Sequence, residues 1–261
     1  MIKKAFIVPD VHGRPFWRDA KEAVTDESYD KIVFLGDYFD QYDDEEFLID
    51  DDSLIASYNE IIELKKANPD KIILLLGNHD LHYLYKNPNC SRHDDDNEDR
   101  NCELIKSNLN LFDLMYLDGI DCGDYKRVLF THAGLTSSFL KTFGRAGYPK
   151  DDLDELCKKV NSDIKAIKTH DYHVLSDLMM RVSRFRGGSY ADGSIVWADL
   201  REVIPNAFDF DDVYQIFGHT REFFPTIIKR YAMIDTRECY DADFYNMVIR
   251  NNYTHKEFPI T

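Results

Sequence analysis

Five apolar runs in this chain give way at once to short polar motifs. The motifs are Asp10-Val11-His12, Gly36-Asp37-Tyr38-Phe39-Asp40, Gly77-Asn78-His79-Asp80, Thr131-His132-Ala133-Gly134 and Gly218-His219-Thr220. The runs before the first four cover 4–8, 31–35, 71–76 and 127–131, and each opens on a lysine or arginine. Their shortness and β-branched content predict buried strands rather than helices. Between them lie segments long enough for crossover helices, at 19–25 and 52–67. In the second, Leu54, Ile55, Tyr58, Ile61, Ile62 and Lys65 recur at amphipathic spacing until Asn68-Pro69-Asp70 stops the helix. This rhythm of strand and helix predicts a layered α/β fold. A parallel-type sheet delivers its strand ends to one edge, so all five motifs are expected to meet there.

The remainder of the chain is less patterned. Residues 213–217, 226–235 and 244–250 read as successive strands, expected to be antiparallel and to form a second sheet. Residues 151–181 read as helical, with Leu153, Leu156, Val160, Ile164 and Ile167 on a recurring face. The interval 43–52 holds seven acidic residues in ten and is expected in a solvated loop and helix start. Residues 86–103 are expected to be a polar surface insertion. With no repeat and no linker, 1–261 reads as a single domain.

Bulk composition narrows the partners. At 261 residues the chain can bury a sizeable core. No apolar stretch approaches the ~18 residues that cross a bilayer, so no membrane role is expected. A cleaved signal peptide would remove Asp10 and His12, which disfavours secretion. Five cysteines (Cys90, Cys102, Cys122, Cys157 and Cys239) without a C-x-x-C pair fit free thiols in the cytoplasm. Cys90 and Cys102 flank His93 and admit a small metal site, but a solvated insertion is the plainer reading. A net charge of −16 without a basic stripe speaks against large nucleic acids, whose binding needs phosphate neutralisation. Small phosphate esters and phosphoproteins stay open, and the sequence sets no oligomeric state.

The polar motifs are rich in Asp, Asn and His, the side chains that hold paired divalent cations. Asp10 and His12 stand two apart, so extended backbone points both the same way. The Asp37 carboxylate can bridge two cations, whereas an imidazole cannot; Asn78, His132 and His219 would complete the second. This mixed O/N set suits Mn, Fe or Zn better than Ca or Mg, with Mn the first expectation. Two such ions about 3.5–4 Å apart can orient an attacking hydroxide, lower its pKa and clamp phosphate oxygens. The protein would then supply a proton for the leaving group and positive charge for the remaining oxygens. His79, beside Asn78 and with Asp40 available to fix its tautomer, is the candidate general acid.

Taken together the motifs resemble the calcineurin-like metallophosphoesterase superfamily, whose pattern is D-x-H, G-D-x-x-D, G-N-H-[DE], a strand-terminal His, then G-H. The resemblance runs in order over about 6–220. It is closest to the phosphoprotein phosphatase branch of bacterial type, through Gly13 after the first motif and through Asp37-Tyr38-Phe39-Asp40. It implies a four-layer αββα sandwich with a dinuclear site at the sheet edges. Asp10, His12 and Asp37 would hold one metal, and Asp37, Asn78, His132 and His219 the other. Two positions depart from the pattern. Gln41-Tyr42 replace the usual Arg-Gly after Asp40, removing one phosphate-clamping arginine, and Arg221 stands where many members have a second His. The stretch Ser183-Arg184-Phe185-Arg186-Gly187-Gly188, followed by Val196-Trp197-Ala198-Asp199, resembles other segments of the same branch. It makes Arg186 the expected phosphate clamp, with Arg184 next and Asn78 as a further phosphate contact.

The function expected is hydrolysis of phosphate monoesters, on phosphoserine or phosphothreonine proteins or on a small phosphoester. The alternative keeps the site and changes the substrate to a dinucleoside polyphosphate or cyclic nucleotide. A catalytically dead fold serving as a binding module would show lost metal ligands, and none is lost. Arg14 is read mainly as a surface residue and Trp197 as a core or pocket-wall residue. His82, His93, His170, His173 and His255 are read as ordinary surface or core histidines.

Overall fold

The computed structural model describes residues 1–42, 48–86, 92–167, 174–205 and 208–261. Cys90, His170 and His173 fall outside these residues, as do 43–47 of the acidic run at 43–52 and part of 86–103.

The first half alternates strand and helix as its hydrophobic pattern requires. It runs through β1 (Lys4–Val8), α1 (Asp19–Thr25), β2 (Lys31–Phe34), α2 (Asp51–Ala67), β3 (Ile72–Leu75), α3 (Asn78–Tyr85), α4 (Glu98–Ser107) and β4 (Phe112–Asp113). Asp50 caps α2 by accepting the Ser53 amide at 2.8 Å, so the acidic run does end in a helix start. A hairpin of β5 (Met115–Cys122) and β6 (Tyr125–Thr131) follows, then α5 (Ser137–Arg145), α6 (Leu153–Ala166), α7 (Val174–Met179) and α8 (Leu200–Val203). The chain closes with β7 (Val213–Phe217), β8 (Thr226–Ile228), β9 (Tyr231–Met233), β10 (Tyr240–Asp243), β11 (Val248–Asn251) and β12 (Glu257–Pro259).

Two mixed sheets result, one of seven strands in the order β12-β11-β10-β1-β2-β3-β4 and one of five in the order β5-β6-β7-β9-β8. Side chains alternate across the first sheet. Ala5, Ile7, Val33, Leu35, Ile73 and Leu75 join Val128, Phe130, Tyr214 and Ile216 of the second sheet in one buried cluster. Phe6, Val8, Ile32, Phe34, Ile72 and Leu74 instead pack with helical residues such as Ala20, Ala23, Tyr58 and Ile61. Strands buried on both faces explain the unbroken apolar runs. On the far side, Leu153, Leu156, Val160 and Ile164 of α6 are fully buried. Helices outside two facing sheets make the four-layer αββα sandwich that the sequence implied.

The C-terminal strands differ from expectation. The interval 226–235 is not one strand but the hairpin β8–β9, and 244–250 straddles the turn between β10 and β11. Nor do these strands form a sheet together. β7 and β9 extend the second sheet in parallel pairing, while β10 pairs antiparallel with β1 and carries β11 and β12 into the first. No helix among the described residues is long and apolar enough to cross a membrane.

Candidate metal centre

β1, β2 and β3 run parallel in one sheet, and β6 and β7 run parallel in the other. Their carboxyl ends therefore open on one edge of the sandwich, and each releases its motif there. The turns are tight. His12, Asp37, Asp40 and His219 all adopt left-handed backbone, with φ of 46°, 54°, 60° and 68°, which non-glycine residues rarely do. Gly77 and Gly218 allow the closest approaches: a Cβ at Gly77 would collide with Asp37 Oδ1, and one at Gly218 with Asp10 Oδ1. Asp10, His12, Asp37, Asn78, His132 and His219 are all buried.

The donor atoms converge on two points. Around the first, His132 Nε2 lies 2.9 Å from Asn78 Oδ1, 3.1 Å from His219 Nδ1 and 3.4 Å from Asp37 Oδ2. Towards the second, His12 Nε2 lies 3.5 Å from the same Asp37 Oδ2. A single carboxylate oxygen thus stands midway between two imidazole nitrogens from separate sheets. The ring orientations are fixed from behind. His12 Nδ1 is 2.8 Å from the Phe39 carbonyl and His132 Nδ1 is 2.8 Å from the Leu35 carbonyl. Both rings therefore donate through Nδ1, and Nε2 faces the centre. The other Asp37 oxygen accepts the His79 amide at 2.9 Å, and Asp10 accepts the His219 amide at 3.1 Å through both oxygens.

Without counter-ions this arrangement is electrostatically uncomfortable. Burial pushes Asp10 up to about 6 and lowers His12 and His219 well below the ordinary imidazole value. Burial works against protonation of His132 too, yet the Asp37 and Asp10 charges prevail and raise it to about 10. Among the described residues, His219 Nε2 and both oxygens of Asp235, a buried neighbour of Asp10, have no hydrogen-bond partner. Buried carboxylates facing imidazole lone pairs, with orphaned polar atoms, are what divalent cations satisfy. The three-residue groups His12, Asp37, His79 and Asp37, His132, His219 each bring one donor atom per residue within 4.8 Å of the others.

Next to the donor cluster lies a cavity of about 310 Å³ lined by Asp37, Tyr42, Asn78, His79, Arg92, Arg186, Trp197 and His219. His79 Nδ1 is 2.6 Å from Asp40 Oδ2. Asp40 also lies 2.9 Å from His82 Nε2 and accepts the Tyr83 hydroxyl. Burial would raise the Asp40 carboxyl, but the His79 and His82 hydrogen bonds outweigh it and hold Asp40 at about 2. Arg186 reaches the cavity from a 3-10 turn (Arg184–Arg186), braced by Asp199 at 2.9 Å and by the Thr220 hydroxyl. Trp197 sits edge-on to His219 with ring centroids 5.7 Å apart, the pocket-wall place expected for it.

Several expectations need correction. Arg184 is exposed and points its guanidinium at the Phe185 ring, so of the two candidate arginines only Arg186 lines the cavity. Arg14 is not a surface residue: it is buried, and its charge bears on Asp10, His12 and Asp235. His82 is a core histidine, as one of its two readings had it, and it also contacts Asp40. Its position three residues after His79 on α3 was the available signal. The described part of 86–103 is only partly a solvated excursion. Asn101 and Cys102 are buried on α4, and Arg92 lines the cavity. Asp80 was unassigned; its carboxylate accepts the amides of Asp37, Tyr38 and Gly77 at 2.8, 2.9 and 2.8 Å, tying the second motif to the third.

A two-sheet sandwich with a buried Asp/His/Asn double cluster at its strand ends defines a metal-dependent hydrolase. The profile of the calcineurin-like phosphoesterase family matches residues 4–222, and the chain belongs to that family, whose members hydrolyse phosphoesters using divalent metals. No curated protein sequence matches the chain. Among solved structures it is similar to the cold-active protein-tyrosine phosphatase of a psychrophilic Shewanella species, at 15% identity and a TM-score of 0.57. That match covers 100% of this chain and 81% of the other. The I115M mutant of a cold-active protein tyrosine phosphatase matches at 16% and 0.60, over 100% of this chain and 81% of that one. A protein serine/threonine phosphatase from Saccharomyces cerevisiae matches at 13% and 0.50, over 92% of this chain and 72% of that one. At these identities the likeness is one of fold.

Proposed function

We propose that the protein is a phosphatase acting on phosphate monoesters, on phosphoprotein or a small phosphoester. The observation that carries this is Asp37 Oδ2, placed 3.5 Å from His12 Nε2 and 3.4 Å from His132 Nε2, beside a cavity that also holds His79 and Arg186. Asp10, His12 and Asp37 would hold one divalent cation, and Asp37, Asn78, His132 and His219 the other. Mn is the first choice on donor chemistry, with Fe or Zn next. Bound there, the pair would supply Lewis acidity, making water a nucleophile at neutral pH and offsetting charge on phosphate oxygens.

The remaining work falls to side chains of this chain. Arg186, held rigid by Asp199 and Thr220, grips equatorial phosphate oxygens with its planar fork. Asn78 offers its amide to both cation and phosphate. His79 gives a proton to the leaving-group oxygen, and Asp40, locked by His82 and Tyr83, fixes the ring for that transfer. A cavity of about 310 Å³ suits a phosphoryl group on a side chain or small alcohol, and on this ground a monoester is preferred to a dinucleoside polyphosphate. A cytoplasmic setting is supported by Cys102, Cys122, Cys157 and Cys239, all buried free thiols.

The test is to strip the protein of metal, restore Mn, Fe or Zn, and assay an aryl phosphate, a phosphopeptide and a dinucleoside tetraphosphate side by side. Mn-dependent release of phosphate from either of the first two is expected. Inactivity on both with every metal, or cleavage of the dinucleotide alone, would overturn the reading.

A further inference from the structure

Position 41, directly after Asp40, is glutamine, and its side chain is engaged elsewhere. Its side-chain amide donates to the Ile49 carbonyl at 2.8 Å and accepts the Ile49 amide at 3.0 Å. The cavity nevertheless holds a second guanidinium besides Arg186. Arg92 arrives from a segment far from every metal-bearing strand end, with its own backbone in the left-handed region at φ 66°.

Three contacts aim this guanidinium. Its plane lies over the Tyr42 ring with Cζ 3.6 Å from the centroid, Nη1 donates to the Asp40 carbonyl at 2.6 Å, and Nη2 is 3.1 Å from His79 Nε2. Tyr42 itself packs edge-on against His12, with centroids 4.9 Å apart. Two of these contacts are anchors, one stacking and one to backbone. The third differs in kind. A guanidinium can only donate, so His79 Nε2 must be the acceptor here, a neutral nitrogen on the side chain proposed to meet the leaving group. A phosphate oxygen is a stronger partner for the same fork, because the bond becomes charge-assisted on both sides.

We propose that Arg92 is a phosphate-binding residue, supplying from a remote segment the second arginine grip that position 41 lacks. Substrate phosphate takes the Nη2 donor from His79, while the Tyr42 and Asp40 contacts keep the guanidinium in place. One event thus engages the phosphate and releases His79 Nε2 from the guanidinium, leaving that nitrogen open to take from solvent the proton it then gives to the leaving-group oxygen. The ligand class is a phosphate dianion, held between Arg92 and Arg186. This rests on the phosphatase reading above and adds to it a residue that no strand-end motif contains.

The test uses the full chain loaded with Mn and inorganic phosphate as the probe, with binding followed by calorimetry. Arg92→Ala should weaken phosphate binding about 10–100-fold, the scale of a lost charge-assisted pair, while Mn affinity and Tm stay near wild type. Arg92→Lys keeps the charge but loses the fork and should recover part of that loss; it carries the test if the alanine variant melts early. The kcat/KM for an aryl phosphate should fall in parallel. If both variants bind phosphate within twofold of wild type with Mn in place, the proposal is overturned although the phosphatase reading stands. If the wild-type protein binds Mn but neither binds phosphate nor cleaves the aryl ester or the phosphopeptide, both are overturned.

Discussion

At the scale of the residue, Asp37 carries the greatest burden, because one of its oxygens serves both donor clusters and the other fixes the His79 amide. Asp37→Asn keeps the shape and removes the charge. It should cut the amount of tightly bound Mn below one equivalent, read by metal analysis after dialysis. His79→Asn should slow an alkyl phosphate by about 10²–10⁴ and an ester with a very good leaving group far less, since only the first needs the proton. Equal losses on both esters would remove the general-acid role. Arg184→Ala should change kcat/KM less than twofold, as its side chain is exposed and does not line the cavity. Asp40 ties the site to pH. Its folded-state value of about 2 lies below the unfolded value, so its contribution is complete above pH 4 and disappears as pH falls toward 2. Urea unfolding of the metal-free protein should therefore show Asp40→Asn about 2 kcal/mol less stable at pH 6, with the gap closing in acid. Most of these residues were visible in sequence, because D-x-H and G-N-H place donors at fixed offsets from a strand end. Arg92 and Asp235 were not, since no local spacing announces a side chain that enters from a distant segment; Arg14 stands two residues after His12, and only the packing decides that it turns inward.

At the scale of the element, strands and helices fixed by alternating burial were legible, and those fixed by turns were not. α1 and β7 fall on the expected residues because apolar pattern and breakers agree. The turns that split 226–235 and 244–250 pass through Lys229 and Met247, with φ of 37° and 56°. Nothing in the composition marks the reversal at Lys229, whereas Asn246, whose amide donates to the Asp243 carboxylate at 2.9 Å, is a turn signal that lies inside 244–250. Caps are local and testable. Thr136 accepts the Phe139 amide at 3.0 Å at the start of α5, just after the His132 motif, and Thr136→Ala should cost about 1 kcal/mol in thermal unfolding. Gly218, at the end of β7, is a different matter. A Cβ there meets Asp10, so Gly218→Ala should weaken Mn binding more than it lowers Tm.

At the scale of the whole molecule, two sheets bury an apolar layer between them and leave a polar knot of carboxylates and imidazoles along one edge. That knot is the reason metal should stabilise the fold. Free Mn at a hundredfold excess over the dissociation constant should add about 2.7 kcal/mol per site, seen as a rise in Tm that Asp37→Asn lacks. A Tm indifferent to Mn would contradict the ligand assignment. The amino-acid order alone determined the βαβ rhythm, the layered class and which donors end each strand, because these follow from local hydrophobic period and from chemistry at adjacent positions. Only the tertiary structure decided that β10 to β12 join the first sheet, that Asp37 Oδ2 is shared between imidazoles of both sheets, and that Arg92 and not Gln41 faces the cavity. Those outcomes depend on which segments pack together across long loops, and side chains far apart in sequence meet only once that packing is complete.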